Sequence, residues 1–200
     1  MSNRTLDSIP NQRAAELLLP RRSFFARAGR ATLSAGTVML LAGAGGTGFA
    51  RIADAAAEGD LSILNTALGA ELEAIAAYQV GAESGLLQKV VLKVAVQFQG
   101  HHKEHADLLA ETVRQLGGTA VEPKAMYDFP VDGLKSQDDV LRFAAGLEKG
   151  AVSAYLGAVP LFEDRALAKA AASILGDEAM HWAVLRSVLG EDPVPGAFVS

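Results

Sequence analysis

Two segments of the sequence place a metal-ligand side chain one helical turn before a histidine. Glu178 and His181 are three residues apart, and His102 and His105 have the same spacing. Residues three apart lie on one face of a helix, so each pair would point in one direction. Carboxylates and imidazoles bind transition metals, and a carboxylate that is buried without a partner is very costly. If these faces are buried, the spacing therefore predicts a metal site.

The helical face that carries Glu178 and His181 is apolar. Around them, residues in steps of three and four are mostly Leu, Ile, Ala and Val, which is the pattern of a helix that faces a bundle core. Three further segments have the same periodicity, and half of all residues are hydrophobic, which allows a sizeable core. The sequence predicts four helices, at about residues 61–83, 87–116, 136–159 and 163–189.

Capping and helix-breaking residues set the predicted ends of these helices. Asp60 is the predicted N-cap of the first helix, and Ser136, with an acidic residue three positions later, opens the third. Gly117 closes the second helix, and Pro160 bends or ends the third. Between residues 117 and 135 the periodicity lapses and prolines and glycines appear. This segment is the predicted crossover between helices two and three.

The two halves of the predicted bundle repeat one pattern. Glu71 and Glu148 are each followed by an alanine three positions later and by Ala-Tyr at positions six and seven, which end at Tyr78 and Tyr155. A pair of ligand residues ending in histidine then follows at nearly the same distance in each half. Two such helix pairs, related by a pseudo-twofold axis, would gather six ligand side chains at one depth in the core. The candidate metal ligands are Glu71, His102, His105, Glu148, Glu178 and His181.

This pattern resembles the ferritin-like superfamily of carboxylate-bridged dinuclear metal proteins. In that family two helices give one Glu each, two give Glu-x-x-His, and one connection is a long crossover. The resemblance covers about residues 60–190 and is strongest to exported bacterial ferritin-like domain proteins, including their Tyr-Asp-Phe-Pro-like segment, here 127–130. It implies an all-α fold, a ferritin-like antiparallel four-helix bundle with one long crossover between helices two and three.

One position departs from the family pattern. Where the family has Glu on the second helix, three residues before His105, this chain has His102. The candidate set therefore has three carboxylates and three imidazoles, which leave about one net positive charge when two divalent ions bind. More imidazole shifts the preference toward zinc, copper or a nitrogen-rich iron site, and it weakens the case for oxygen activation by a carboxylate-bridged iron pair.

Three aromatic or imidazole side chains flank the candidate ligands. Tyr78 and Tyr155 are predicted to pack beside the site and to hydrogen-bond a ligand carboxylate. His101 borders the helical face that carries His105, and we do not count it among the ligands.

The resemblance implies two transition-metal ions as cofactors, iron first, with manganese or zinc as alternatives. The expected reaction is oxidation of ferrous iron, or the handling of peroxide or oxygen, with a manganese-catalase-like activity as one variant. The expected partners are metal ions and a small oxidant such as O2 or peroxide, and a homodimer is left open. The alternative hypothesis is a metal-poor helical bundle with a structural or cell-envelope interaction role, which the His102 departure favours.

The first 55 residues are predicted to be a twin-arginine-type signal peptide. Arg21 and Arg22 precede Ser-Phe-Phe, and the uncharged stretch 31–50 is rich in glycine, which makes it weakly hydrophobic for a membrane anchor. Export to the periplasm or another extracytoplasmic space follows as an expectation, with no stable membrane insertion once the signal is processed. An uncleaved anchor is the alternative. The remaining predicted regions are the bundle, 56–192, and a C-terminal tail, 193–200.

Charge and cysteine content exclude several classes of function. Residues 56–200 keep 20 acidic and 11 basic residues, a formal net charge of −9, which argues against nucleic acid or anionic lipid as a partner. The chain has no cysteine, which excludes disulfides, thiolate metal sites and iron–sulfur clusters.

Overall fold

Four long α-helices make up most of the region that the structure describes. The computed structural model describes residues 46–199, with side chains from residue 57 onward, and this part of the chain contains no β-strand. The predicted all-α four-helix fold is therefore confirmed. The helices are α1 (Gly46–Glu83), α2 (Lys89–Gln115), α3 (Gln137–Ala158) and α4 (Arg165–Val188), and short 3₁₀ turns cover Val131–Gly133 and Val159–Leu161.

The first helix begins earlier than predicted, and Asp60 is not its N-cap. α1 starts at Gly46, so Asp60 lies inside it, where it is 4% exposed. Its two carboxylate oxygens accept the backbone N–H groups of Glu163 and Asp164, each at 3.0 Å. Asp60 therefore satisfies free donors just before α4, about a hundred residues further along the chain. The local pattern identified a capping residue and assigned it to the wrong helix.

The other predicted helix boundaries lie close to the observed ones. Ser136 is the N-cap of α3, and its hydroxyl accepts the backbone N–H of Asp139 at 3.2 Å. Gly117 follows α2 with a φ of +81°, a conformation that glycine adopts at little cost. α3 ends at Ala158, and Pro160 lies in the 3₁₀ turn that follows it.

The order of core residues along each helix gives the topology. One apolar cluster contains Leu68 of α1 and Leu109 of α2, and a second contains Phe98 of α2 and Leu141 of α3. α1 and α4 run from the first cluster to the second, whereas α2 and α3 run from the second to the first. Because α2 and α3 point the same way, the segment that joins them must return along the bundle, as predicted for the crossover.

The crossover is held against the helices at both of its ends. Asn65 of α1 donates to the carbonyl of Thr119 at 3.0 Å and accepts the N–H of Val121 at 2.9 Å. Further along, the ring of Phe129 lies 5.7 Å from the ring of Phe143 on α3. These contacts fix the crossover over the bundle surface and leave the centre of the bundle to the four helices.

The segments outside the bundle bear on the predicted targeting and tail regions. Residues 1–45 of the predicted signal segment lie outside the described residues, and the first turns of α1 are formed by 46–55. Among the described residues, no helix is long and apolar enough to cross a membrane. After α4, Glu191 forms ion pairs with Arg142 at 2.6 Å and Arg186 at 2.9 Å, which hold the residues just before the predicted tail against α3 and α4.

Candidate metal centre

A layer of polar side chains crosses the bundle between its two apolar clusters. α1 and α3 each contribute one glutamate, and α2 and α4 each contribute a pair of residues three apart. Five of the six side chains are at most 3% exposed, because they lie on the inward face of their helices. The sixth, His105, is 14% exposed. The structure therefore brings together all of the predicted ligands, Glu71, His102, His105, Glu148, Glu178 and His181.

The first group of donor atoms lies between α1, α2 and α4. His105 Nδ1 is 3.1 Å from Glu178 Oε1 and 3.5 Å from Glu71 Oε2. His102 Nδ1 is 2.8 Å from the same oxygen of Glu71. One ligand atom from each of these four residues lies within 4.8 Å of the others. Two oxygens and two nitrogens around one point form a donor set that suits a transition-metal ion.

The second group lies between α2, α3 and α4 and mirrors the first. His181 Nδ1 is 3.2 Å from Glu178 Oε2 and 3.4 Å from Glu148 Oε1. His102 Nε2 is 3.3 Å from the same oxygen of Glu148. Glu178 thus presents one oxygen to each group, and His102 presents one nitrogen to each. These two residues are the centre of the site, and the other four are its two ends.

Two tyrosines each donate a hydrogen bond to the end glutamate of the other helix pair. The hydroxyl of Tyr155 donates to Glu71 Oε1 at 2.6 Å, and the hydroxyl of Tyr78 donates to Glu148 Oε1. Burial and the neighbouring carboxylate raise the pKa of both hydroxyls well above its usual value, so both remain donors. The expected bonds to carboxylates are therefore present, but each tyrosine reaches the glutamate of the other helix pair.

The two end glutamates are held ionised by their histidine neighbours. Burial acts to raise the pKa of Glu71, but the hydrogen bond from His102 and the nearby charges of His102 and His105 outweigh it and lower the pKa. The same balance, with hydrogen bonds from His102 and His181, lowers the pKa of Glu148. The ends of the site are therefore anionic and ready to accept cations.

The carboxylates in turn raise the basicity of the histidines. Burial acts to lower the pKa of His102, but its bonds to Glu148 and Glu71 raise the pKa to about 10. Nearby ionised carboxylates outweigh burial in the same way at His105 and His181, and they raise the pKa of each to about 9. Without an ion, protons on imidazoles balance the buried carboxylates.

Two buried atoms of the site lack a hydrogen-bond partner, and their position indicates whether the residues fit metal ions. His105 Nδ1 and Glu178 Oε1 are both buried and 3.1 Å apart, yet neither has a hydrogen-bond partner of suitable geometry. Buried polar atoms are rarely left in this way. An ion ligated by both atoms would satisfy them. The side chains therefore fit a pair of transition-metal ions by donor type, spacing and unmet bonding capacity.

Two residues that the sequence pattern did not count as ligands lie at the solvent-facing edge of the site. Asp177 Oδ2 is 3.1 Å from His101 Nδ1, and the Asp177 and His101 side chains are 25% and 30% exposed. Each directly precedes a central residue, Glu178 or His102, so the internal repeat pairs them as well. That correspondence is the signal that could have found them.

Comparison with known proteins gives the family. The sequence model of the ferritin-like domain family matches residues 59–191, which include all six candidate ligands of the site. The chain belongs to the ferritin-like domain family. No curated protein matches it at a significant level.

Solved structures share the ferritin-like fold at low sequence identity. A conserved hypothetical protein of Mycobacterium tuberculosis is 24% identical with a TM-score of 0.62, over 72% of this chain and 99% of that chain. A dodecameric thioferritin, the bacterioferritin-related protein of Bacteroides fragilis, is 23% identical with a TM-score of 0.59, and the match covers 67% of this chain and 86% of that chain. A ferritin-like diiron-carboxylate protein of Bacillus anthracis is 21% identical with a TM-score of 0.57, and the match covers 67% of this chain and 97% of that chain. At these identities the likeness establishes the fold.

Proposed function

We propose that this protein binds two transition-metal ions in the buried site and uses them to oxidise ferrous iron or to reduce peroxide or O2. The observation that carries the proposal is the pair of four-donor groups that share Glu178 and His102. Iron is the proposed metal, with manganese or zinc as alternatives; zinc, which has no redox chemistry, would fill the site without supporting this reaction. The description of the Bacillus anthracis structure as a diiron-carboxylate protein supports iron.

The residues divide into holding and orienting roles. Glu71 and His105 would hold one ion, Glu148 and His181 the other, and Glu178 both. Two bound iron ions would supply one electron each for the reduction of peroxide, which takes up two electrons and two protons to give two waters. The near-complete burial of the ligands keeps bulk water from the reacting atoms.

Hydrogen bonds outside the ligand set would keep the donor atoms in place. Tyr78 and Tyr155 donate to Glu148 and Glu71, which leaves the remaining lone pairs of those carboxylates for metal. His105 Nε2 lies 3.4 Å from Asp177 Oδ2. A proton held there would leave Nδ1 as the ligand atom, the arrangement usual for metal-bound histidines.

Metal content tests the proposal directly. Protein purified from iron-replete cells should contain two equivalents of iron per chain in the buried site. Glu178→Gln, which removes the carboxylate that both groups share, should lose them, whereas Glu122→Gln, an exposed glutamate in the crossover, should not. Less than one equivalent of any transition metal in the wild-type protein would exclude the dinuclear site.

A metal-poor structural bundle is the second candidate, and one contact favours it. His102 bonds Glu71 at 2.8 Å and Glu148 at 3.3 Å, so a protonated imidazole can itself bring the two carboxylates together. Thermal melting with and without a chelator separates the candidates. A site with ions at 100 times Kd adds about 2.7 kcal/mol to the free energy of unfolding, so chelation should lower Tm. An unchanged Tm would favour the structural role.

We also propose that the chain is exported through the twin-arginine pathway. The support is the Arg21-Arg22-Ser23-Phe24-Phe25 segment, followed by an uncharged stretch, in the part of the chain outside the described residues. Replacing both arginines by lysine should retain the protein in the cytoplasm, which fractionation of expressing cells would show. Unchanged fractionation would exclude this route. Release of the wild-type protein in soluble form would distinguish a cleaved signal from a retained anchor.

A further inference from the structure

A third cluster of ligand atoms lies outside the buried pair, on its solvent-facing edge. His101 Nδ1 is 2.9 Å from His181 Nε2 and 3.1 Å from Asp177 Oδ2. Asp177 Oδ2 is in turn 3.3 Å from His181 Nε2. The three atoms form a compact triangle of two nitrogens and one oxygen. None of the contacts that define the buried groups uses these atoms.

The size of this triangle suits a metal ion. A tetrahedral ion with bonds of about 2.1 Å holds its ligand atoms roughly 3.4 Å apart, and an octahedral ion holds neighbouring ones roughly 3.0 Å apart. The three separations, from 2.9 to 3.3 Å, fall around these values. Two imidazoles and one carboxylate form a donor set that zinc, iron, cobalt and copper accept, with the open side left for water.

Stacking fixes the histidine that the two regions share. The ring of Phe98 lies against the ring of His181, with centroids 4.0 Å apart and planes inclined by 23°. This contact holds the plane of the ring, while Nδ1 contacts Glu148 and Glu178 and Nε2 contacts His101 and Asp177. A neutral imidazole has one free lone pair, so an ion at Nε2 and an ion at Nδ1 compete for it.

We propose that His101, Asp177 and Nε2 of His181 form a third site for a divalent transition-metal ion, from which the ion passes inward to the buried pair. The role as an entry site rests on the proposed function of the buried residues, whereas the binding site itself does not. Side-chain exposure falls from 30% at His101 and 25% at Asp177 to 2% at His181, so the cluster lies between solvent and the interior. An ion that binds there contacts His181 of the buried pair and lies beside His105, whose Nε2 is 3.4 Å from Asp177 Oδ2.

Cobalt binding by the full-length protein tests the site. In Glu178→Gln, which removes the carboxylate shared by the buried groups, one equivalent of Co2+ should remain. Adding His101→Ala or Asp177→Asn should remove that equivalent, and adding Asp107→Asn, an exposed aspartate on α2, should leave it. Using two alternative replacements guards against a folding defect in either, and circular dichroism checks that each variant is helical.

Several results would overturn the third site. They are an absence of Co2+ from Glu178→Gln, or a residual equivalent that survives both His101→Ala and Asp177→Asn. The entry role has its own readout: His101→Ala in the wild-type background should slow loading of the buried ions by at least about tenfold in rapid mixing, and an unchanged rate would overturn it. Failure of the proposed function looks different, because the wild-type protein would then bind only the equivalent that Glu178→Gln retains.

Discussion

The two helix pairs supply the same framework and differ at one central position. In α1–α2, the ligands are Glu71, His102 and His105, and in α3–α4 the equivalent positions are Glu148, Glu178 and His181. The end residues match, and each end histidine contacts the glutamate of its own pair at 3.4 to 3.5 Å. At the centre, one half supplies a carboxylate and the other an imidazole.

That difference separates two ways of holding buried carboxylates together. Glu178 is central, and burial together with the nearby Glu148 raises the pKa of its carboxyl, so its negative charge needs cations to stabilise it. One of its oxygens has no hydrogen-bond partner. His102 is central and can carry a proton, so it links Glu71 and Glu148 without an ion. The α3–α4 half of the site therefore needs metal ions to compensate its central carboxylate. In the α1–α2 half, a protonated His102 can partly compensate the carboxylates without an ion. Substitutions at these two positions should have unequal effects.

The largest expected effect is the contrast between Glu178→Gln and His102→Gln. Glu178→Gln removes the negative charge and leaves one oxygen that can serve only one group, so the affinity of the buried site for Co2+ or Fe2+ should fall by at least about 100-fold. His102→Gln leaves every carboxylate in place, and the affinity should fall by only about tenfold. Equilibrium dialysis with metal analysis measures both. Equal losses would show that His102 matters as much as the shared carboxylate.

Stability of the metal-free protein should depend on pH through the histidines. Their folded pKa values, about 10 for His102 and about 9 for His105 and His181, lie above the unfolded value of about 6.5. Their contribution to stability is therefore full below pH 6.5 and is lost as the pH rises through 9 to 10. With chelator present, Tm should fall by about 5 °C or more over that range. His102→Gln should flatten the decline, and a flat wild-type profile would contradict the charge balance described above.

His102→Glu makes the two halves alike and should act in opposite directions with and without metal. The added carboxylate supplies a fourth negative charge and a second shared oxygen ligand, so affinity for Fe2+ should rise by about tenfold. Without metal, four carboxylates would face one another with one fewer proton carrier, so Tm should fall. Binding and melting measurements on the same preparation check both signs. A loss of iron affinity would mean that the bundle is shaped around the imidazole.

The smallest expected effects come from the tyrosines, and they test the crossed contacts. Tyr78→Phe removes a hydrogen bond to Glu148, and Tyr155→Phe removes one to Glu71. Each change should cost about 1 kcal/mol of stability and weaken metal binding several-fold. Tyr78→Phe should weaken binding of the ion beside Glu148, on the opposite helix pair. Crystals of the metal-loaded variant would show this as lower occupancy of that ion. Weakening of the ion beside Glu71 instead would contradict the crossed arrangement.

Periodicity predicted the bundle and its buried ligands because both depend on one feature, the inward face of each helix. Leu68, Glu71 and Tyr78 follow one stripe on α1, and all three are buried. The repeat then matched the stripes of the two halves, which placed the glutamates and histidines at one level. These relations lie within single helices or between equivalent positions, so one sequence contains them.

Contacts between helices do not follow from periodicity or from the internal repeat. Asp60 has the composition of an N-cap, but the donors it satisfies, at Glu163 and Asp164, come close only when α1 packs beside the start of α4. Asp177 and His101 lie at the border of their stripes, and a helical projection does not give the depth at which border residues meet. Their proximity depends on how α2 and α4 are rotated against each other, which the sequence of either helix leaves open.

Anomalous diffraction from crystals of the iron-loaded protein tests the central claim most directly. The expected result is two strong iron peaks inside the bundle, one contacted by Glu71 and His105 and the other by Glu148 and His181, with Glu178 touching both. A single peak or none in crystals soaked with excess Fe2+, with His102 still hydrogen-bonded to both Glu71 and Glu148, would contradict it.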